Sequence, residues 1–169
     1  MKILIFSDLH GDVDIMCDIV EKEKPDMIIH LGDSIADAEQ LSNKYSDIKT
    51  IKVLGGIDSQ KEDEEWIQYV EICNKRFMLT HGHIFLDKTT VYGQAQQNMW
   101  LYAGNSDIVL YGHMHEPFIN CSEGKWIMCP GRIGRDVEGG GINPKYGILK
   151  INESGTLNWQ FVEVENSIV

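Results

Sequence analysis

MKILIFSDLHGD (residues 1–12) opens the chain with a short apolar run that passes directly into a polar turn. Such a run predicts a buried β-strand over residues 2–7, because a strand covered on both faces has few polar positions. Asp8 and His10 follow at the end of this strand, and their i, i+2 spacing directs both side chains to the same side. The sequence therefore predicts a strand that presents a carboxylate and an imidazole together at its carboxyl end.

Further strands and helices follow in a regular order. Apolar residues at helical spacing predict helices that begin near Val13 and Ile35 and connect the first three strands, and a third helix over residues 92–103. Alternation of strand and helix indicates parallel strands flanked by helices. Residues 67–80 instead predict a hairpin with Asn74-Lys75 at its turn. Strands are expected at about residues 2–7, 26–31, 50–54, 67–73, 76–80, 107–111, 117–121, 125–129, 146–151 and 157–164.

These elements predict a mixed α/β fold, in which two mixed sheets pack as a sandwich with helices outside. A chain of 169 residues with 43% hydrophobic content can bury one sizeable core, so we expect a single domain over residues 1–169. The opening apolar run is too short for a signal sequence or a membrane span. Four scattered cysteines without a C-x-x-C pair are typical of reduced thiols, which favours a cytoplasmic protein without a membrane partner.

The formal net charge of −11 argues against an extended groove for nucleic acid, because such grooves attract phosphates with clustered Lys and Arg. A small phosphorylated substrate remains compatible with this charge, since divalent cations would invert the local charge of a carboxylate-lined site. Exposed apolar residues of the third predicted helix leave a homo-oligomer open.

Polar residues follow four more predicted strands, and ligands of α/β proteins gather at such carboxyl ends. Carboxylates mixed with imidazoles suit Mn, Fe, Zn or Ni better than Ca, and the lack of cysteine ligands argues against a structural zinc site. Two cations about 3.5–4 Å apart that share one carboxylate would clamp the attacking and leaving oxygens of a phosphoryl transfer. The strand ends carry Asp33 after Gly32, Gly55-Gly56-Ile57-Asp58, His81-Gly82-His83 and Gly112-His113-Met114-His115.

In this order, Asp8-x-His10, Gly32-Asp33, His81 and Gly112-His113-x-His115 resemble the motifs of the calcineurin-like metallophosphoesterases. Thr80-His81-Gly82-His83 and Cys129-Pro130-Gly131 are similar to those of its small YfcE-type phosphodiesterase group. The resemblance implies a four-layer α-β-β-α sandwich and a phosphodiesterase or phosphatase with two divalent metal ions, Mn being favoured, and a metal-bound hydroxide as nucleophile. It implies one metal on Asp8, His10, Asp33 and His115, and a second on Asp33, His81 and His113.

The sequence departs from this family at Gly56, where an Asn usually binds the second metal. A glycine has no side chain to donate, so we expect weaker occupancy of that site. The rival hypothesis follows from the same residue: a weakly catalytic or non-catalytic binding or scaffold module on the same fold, as in the retromer subunit that resembles this family.

Three further residues are candidates for roles around the metals. Asp58 lies two residues after the missing ligand and could move toward the metal or act through a water molecule. His83 could contact the substrate phosphate or support a metal ligand. These two residues are our catalytic candidates. Arg132 follows Pro130-Gly131 and is our candidate for substrate binding through a phosphate oxygen, although a solvent-exposed position is the alternative.

Overall fold

The computed structural model describes residues 1–9, 11, 13–58, 65–85, 92–134 and 143–164. His10 and Asp12 lie outside the described residues. The elements largely match the sequence prediction, and every predicted strand and helix has a counterpart. In chain order they are β1 (Lys2–Phe6), α1 (Val13–Glu23), β2 (Met27–His30), α2 (Ile35–Lys44), β3 (Lys49–Lys52), β4 (Ile67–Ile72), β5 (Lys75–Thr80), a 3₁₀ turn (His83–Phe85), α3 (Tyr92–Ala103), β6 (Ile108–Tyr111), β7 (Phe118–Ser122), β8 (Lys125–Cys129), β9 (Lys145–Ile151) and β10 (Leu157–Glu163).

The strands form two mixed sheets of five strands each. The first sheet has the order β10-β9-β1-β2-β3, with β1, β2 and β3 parallel, β9 antiparallel to β1, and β10 antiparallel to β9. The second sheet has the order β4-β5-β6-β8-β7, with β5, β6 and β8 parallel and β4 and β7 antiparallel at its edges. The predicted α/β class with two mixed sheets and flanking helices is confirmed.

Side chains alternate along each central strand and build three apolar clusters. Ile3 and Ile5 of β1 face the second sheet, where they meet residues such as Phe77 and Leu110. Leu4 and Phe6 of the same strand face the opposite way, against α1 and α2. The outer face of the second sheet packs on α3 in the same manner. The layers are therefore helix, sheet, sheet and helix, and no helix of the described residues is long and apolar enough to cross a membrane.

The β4–β5 hairpin corrects one detail of the sequence prediction. Its turn residues are Cys73 and Asn74, with φ of 50° and 59°, and Lys75 already pairs with Ile72. The predicted turn at Asn74-Lys75 is therefore wrong by one residue. Two positive φ values in succession are typical of a type I′ turn, whose twist matches that of the flanking strands, and this preference outweighs the reluctance of a cysteine to adopt it.

Hydrogen bonds beyond the strands hold the carboxyl ends of β1, β2 and β3 in line. The Asp8 amide donates to the Gly32 carbonyl at 3.2 Å, and the Val53 amide donates to the His30 carbonyl at 3.1 Å. In the second sheet the Gly112 amide donates to the His81 carbonyl at 2.9 Å. The polar residues that follow these strands consequently emerge at one end of the sandwich.

His30 is a fully buried histidine at the end of β2. Its Nδ1 accepts a hydrogen bond from the Gly32 amide at 3.3 Å. Burial lowers the pKa of His30 to about 4, against the partial opposition of Asp8 and other nearby carboxylates. His30 is therefore neutral in the folded protein at neutral pH, and it belongs to the core as expected for a histidine inside an apolar strand.

The pH dependence of stability tests this state of His30. Between pH 6.5 and about 4 the unfolded chain binds a proton at His30 that the folded chain does not, so stability falls as the pH falls through this window. We expect His30 alone to reduce the free energy of unfolding by about 2 kcal/mol between pH 7 and pH 5. Urea denaturation should show a smaller loss over this interval for His30→Asn than for wild type. Equal losses would contradict a neutral buried imidazole.

Gly55 lies where the exit from β3 passes against the backbone of Asp33. A Cβ atom at Gly55 would lie 2.1 Å from the Asp33 amide nitrogen and 2.1 Å from its Oδ1. Real Cβ atoms do not approach backbone this closely, so the two segments must separate if any side chain is added here. The neighbouring Gly56 is different, because a Cβ there would meet nothing closer than 3.5 Å.

These neighbours provide a matched pair of substitutions. We expect Gly55→Ala to cost at least about 2 kcal/mol of stability, and hence about 4–8 °C in melting temperature, because backbone must move. Gly56→Ala should stay within about 0.5 kcal/mol of wild type. Thermal denaturation of the metal-free proteins measures both. Similar melting temperatures for the two variants would contradict the close approach of Gly55 to Asp33.

Candidate metal centre

The predicted ligands lie at one end of the sandwich, each directly after a strand. Asp8 follows β1 and Asp33 follows β2 in the first sheet. His81 follows β5, and His113 and His115 follow β6 in the second sheet. Both sheets thus contribute to the same region.

Asp33, His81 and His113 form the tightest group among the described residues. One potential ligand atom from each lies within 4.8 Å of the others. The Nε2 atom of His81 is 3.2 Å from Oδ2 of Asp33, and the ring centroids of His81 and His113 are 5.0 Å apart. A carboxylate and two imidazoles at this spacing are a suitable donor set for a divalent transition metal.

The orientation of His81 shows that a cation fits this group. Its Nδ1 lies 2.7 Å from the Leu31 carbonyl, so it donates its proton there and fixes the tautomer. In a neutral imidazole the Nε2 lone pair then faces Asp33 Oδ2 at 3.2 Å and Asp8 Oδ1 at 3.8 Å. A lone pair facing two carboxylates is repulsive in a site with no solvent exposure. A positive charge, either a proton or a metal ion, resolves this repulsion.

A second group adjoins the first through Asp8. The Oδ1 atom of this buried carboxylate is 3.3 Å from Nε2 of His115. Its Oδ2 accepts hydrogen bonds from the Ser7 hydroxyl and, at 3.0 Å, from the His113 amide. Asp8 thus uses one oxygen for positioning and directs the other toward two imidazoles, which suits it to bind a cation beside the first group.

Backbone strain is concentrated at these residues. Asp8, Asp33, His113 and His115 have φ values of 56°, 53°, 66° and 57°. Residues with a Cβ rarely adopt this left-handed conformation, and such residues often occur at functional sites where the surrounding structure holds them. The strained conformation here aims the side chains inward at the ends of the strands.

Electrostatics favour charged carboxylate and imidazole groups at the centre of the site. Burial raises the pKa of Asp8, but contacts with His115, His81 and Ser7 outweigh this effect and leave the pKa below its usual value. Burial lowers the pKa of His81, yet contact with Asp33 and the charge of Asp8 raise it overall. The polar contact with Asp8 also raises the pKa of His115. Protons on these imidazoles therefore compensate the carboxylates when no metal does so.

His113 has the opposite preference within the same site. Burial, followed by the charge of His81, lowers its pKa below the usual value of a histidine. It is consequently a neutral imidazole near neutral pH, and a neutral imidazole is the form that binds a metal ion. One ring of the group is thus already in the metal-binding form.

Asp58, predicted as a catalytic candidate, makes hydrogen bonds that support the site. Its Oδ1 accepts hydrogen bonds from the amides of Ser34 and Ile35 at 3.0 and 2.8 Å, at the beginning of α2. Its Oδ2 accepts one from the Gly55 amide at 2.8 Å. A carboxylate at a helix N-terminus is favourable because it satisfies exposed amides there. Asp58 therefore ties the exit of β3 to α2, and so fixes the segment that holds Asp33.

The remaining candidates lie at the edge of the group. The ring of His83 lies above Gly56, and its centroid is 5.4 Å from that of His81. Arg132 has only 6% of its surface exposed, so the solvent-exposed alternative for this residue is wrong. Its positive charge is felt at His115, whose pKa it lowers slightly against the larger effect of Asp8. Both residues are near enough to the candidate ligands to influence them.

Two supporting residues were missed by the sequence analysis. Ser7 donates its hydroxyl to Asp8, and Asp37 of α2 accepts a hydrogen bond from the Gly11 amide at 3.0 Å. The second bond anchors the loop after β1, which carries His10. The only sequence signal for Asp37 was an acidic residue in the first turn of a helix, and that position is usually explained by the helix dipole.

Comparison with known proteins identifies the family to which the chain belongs. Residues 1–154 match the model of the calcineurin-like phosphoesterase superfamily domain. A phosphodiesterase of Methanocaldococcus jannaschii is 28% identical over 149 residues, which cover 78% of this chain and 83% of the relative.

Solved structures agree on the fold. A predicted phosphoesterase from Streptococcus pneumoniae superposes with a TM-score of 0.73 at 25% identity, and the match covers 97% of this chain and 90% of that one. Vps29 of Entamoeba histolytica, solved with zinc, gives a TM-score of 0.70 at 17% identity, covering 98% and 100% of the two chains, and shows a likeness of fold alone. With its family match extending over most of the sequence, the chain belongs to the calcineurin-like phosphoesterase superfamily and is a metal-dependent phosphoric ester hydrolase.

Proposed function

We propose that the protein hydrolyses a small phosphodiester at a centre of two divalent metal ions, with Mn as the favoured metal. The observation that carries the proposal is the junction of two ligand groups: Asp33 with His81 and His113, and Asp8 with His115. His81 Nε2 lies within 4 Å of both carboxylates, so the groups are adjacent. We further propose that residues 1–169 act as one cytoplasmic domain on a small phosphorylated substrate.

Each ligand group would hold one ion. Asp8, His10, Asp33 and His115 would bind the first, and Asp33, His81 and His113 the second, so that Asp33 serves both. Bound ions would lower the pKa of a water molecule to supply hydroxide and would neutralise charge on the phosphoryl oxygens. The Ile57 amide donates to Asp33 Oδ1 at 3.2 Å, which helps to hold the shared carboxylate in place.

The residues beside the centre favour a substrate with a good leaving group. The side chain of Ile57, which follows Gly56, has no proton to donate, so it does not assist departure of the leaving alkoxide. The alkoxide or phenoxide of an acidic alcohol or phenol departs from a diester without such help. Hydrolysis of an alkyl monoester gains more from general acid catalysis. The name of the Methanocaldococcus jannaschii relative, a phosphodiesterase, agrees with this preference.

Arg132 would bind the substrate phosphate. Its segment lies against the end of β1, since the Ile133 amide donates to the Ser7 carbonyl at 3.1 Å and the Gly134 amide to the Asp8 carbonyl at 3.0 Å. The charge of Arg132 reaches His115, whose pKa it lowers, and a guanidinium this close to a ligand would offer parallel N–H groups to phosphoryl oxygens. This placement keeps the charge of Arg132 next to the ligands without making it one of them.

The proposal predicts loss of activity when the shared carboxylate or the central imidazole is removed. With added Mn²⁺ and an aryl phosphodiester, Asp33→Asn and His113→Ala should each lower the rate by at least about 100-fold, because each removes a donor atom from a metal ion. Metal analysis should find fewer bound ions in both variants than in wild type.

The matched control is Asp18→Asn, which removes an exposed carboxylate of α1 that belongs to neither ligand group. It should retain the rate and metal content of wild type. Normal metal content and rate in Asp33→Asn and His113→Ala would refute the proposed centre. Metal binding without hydrolysis of any diester in the wild type would instead favour a binding module on this fold.

A further inference from the structure

The space above Gly56 is occupied by the imidazole ring of His83. We propose that His83 replaces the missing asparagine side chain and completes the second metal site with Asp33, His81 and His113. The inference rests on the dinuclear centre proposed above. It concerns a residue that the family resemblance does not place among the ligands, and it explains how the chain can lack a side chain at Gly56.

The contact between His83 and Gly56 is direct. A Cβ atom at Gly56 would lie 3.5 Å from Cγ, 3.6 Å from Cδ2 and 3.7 Å from Cβ of His83. These are ordinary van der Waals distances, so the ring packs directly against the position that the Cβ atom of an asparagine would take. The glycine and the histidine are therefore complementary in shape.

The three imidazoles are spaced as rings that converge on one ion. Their centroids are separated by 5.0 Å for His81 and His113, 5.4 Å for His81 and His83, and 6.3 Å for His83 and His113. Imidazoles bound to one ion have centroids roughly 4.5–6.5 Å apart, since each nitrogen lies about 2.1 Å from the metal. All three separations lie in this range.

His83 also has a nitrogen available for a new partner. Its Nδ1 atom is buried and makes no hydrogen bond within the part of the chain that the structure describes. Trp66 contacts the ring edge-on, with centroids 5.4 Å apart, and so limits where the ring can move on that side. A buried imidazole nitrogen without a partner is costly, and coordination to a metal ion removes the cost.

Binding requires the His83 ring to reorient. The tight group of ligand atoms within 4.8 Å contains Asp33, His81 and His113 but not His83. Its ring must therefore turn toward them, and no side chain of Gly56 blocks this turn.

A double-mutant cycle tests the proposal with Mn²⁺ alone as the probe. Isothermal titration calorimetry of chelator-treated protein should show two ions for wild type, and at least about 10-fold weaker binding at one site for His83→Ala. Gly56→Asn alone should change either affinity by less than about 3-fold, because His83 already supplies the ligand. His83→Ala combined with Gly56→Asn should recover the lost affinity, since the amide oxygen takes the vacant position.

Controls separate ligand loss from damage to the fold. Asp18→Asn removes an exposed carboxylate of α1 that belongs to neither ligand group and should leave both affinities unchanged. Metal-free His83→Ala should keep the far-ultraviolet circular dichroism spectrum of wild type, and Gly56→Asn is tolerated sterically because its Cβ has only ordinary contacts. Recovery in the double variant excludes a folding defect as the cause of weak binding.

Different outcomes overturn different claims. Two ions bound with equal affinity by wild type and His83→Ala would overturn the role of His83 and leave the dinuclear centre intact. Tighter binding by more than 10-fold in Gly56→Asn alone would also overturn it, because the second site would then lack a ligand in wild type. A single ion in wild type would overturn the dinuclear centre itself, together with the role of His83.

Discussion

The hydrogen bond between His81 Nδ1 and the Leu31 carbonyl, 2.7 Å long, joins the two sheets at the end where the candidate ligands lie. His81 follows a strand of the second sheet, and Leu31 follows a strand of the first. The bond fixes both the tautomer and the direction of the imidazole, so that Nε2 lies between Asp8 and Asp33. Together with the hydrogen bond from the His113 amide to Asp8 Oδ2, it sets the spacing between the carboxylates of one sheet and the imidazoles of the other.

Around this bond the protein buries charged groups that water does not solvate. Asp8 and His81 are fully buried, and positive φ values at several ligands hold their side chains inward. Buried like charges are unfavourable unless they are compensated, and here protons or metal ions can compensate the carboxylates. Asp58 and Asp37 stabilise the surrounding loops through backbone amides, which keeps the site preorganised when its charges change. The fold is thus built to hold cations at the junction of its sheets.

Sequence patterns predicted the strands and the residues at their ends, because burial and spacing are local properties of the chain. The β4–β5 turn was wrong by one residue, since its geometry depends on strand twist rather than on composition. Asp58 was considered for catalysis, but its amide partners belong to Ser34, Ile35 and Gly55, and only folding brings them together. The contact between His83 and Gly56 joins residues that follow strands of different sheets, and the spacing of residues along the chain likewise does not predict it.

Carboxylates of one sheet and imidazoles of the other meet where a metal-dependent phosphoesterase needs its ligands, and the number of ions held there decides the mechanism. Anomalous diffraction from crystals grown with Mn²⁺ measures the number and the positions of these ions. We expect two Mn peaks about 3.5–4 Å apart with Asp33 between them, as in other two-metal sites. One of these should contact Asp8 and His115, and the other His81 and His113. A single peak, or peaks away from Asp33, would contradict this expectation.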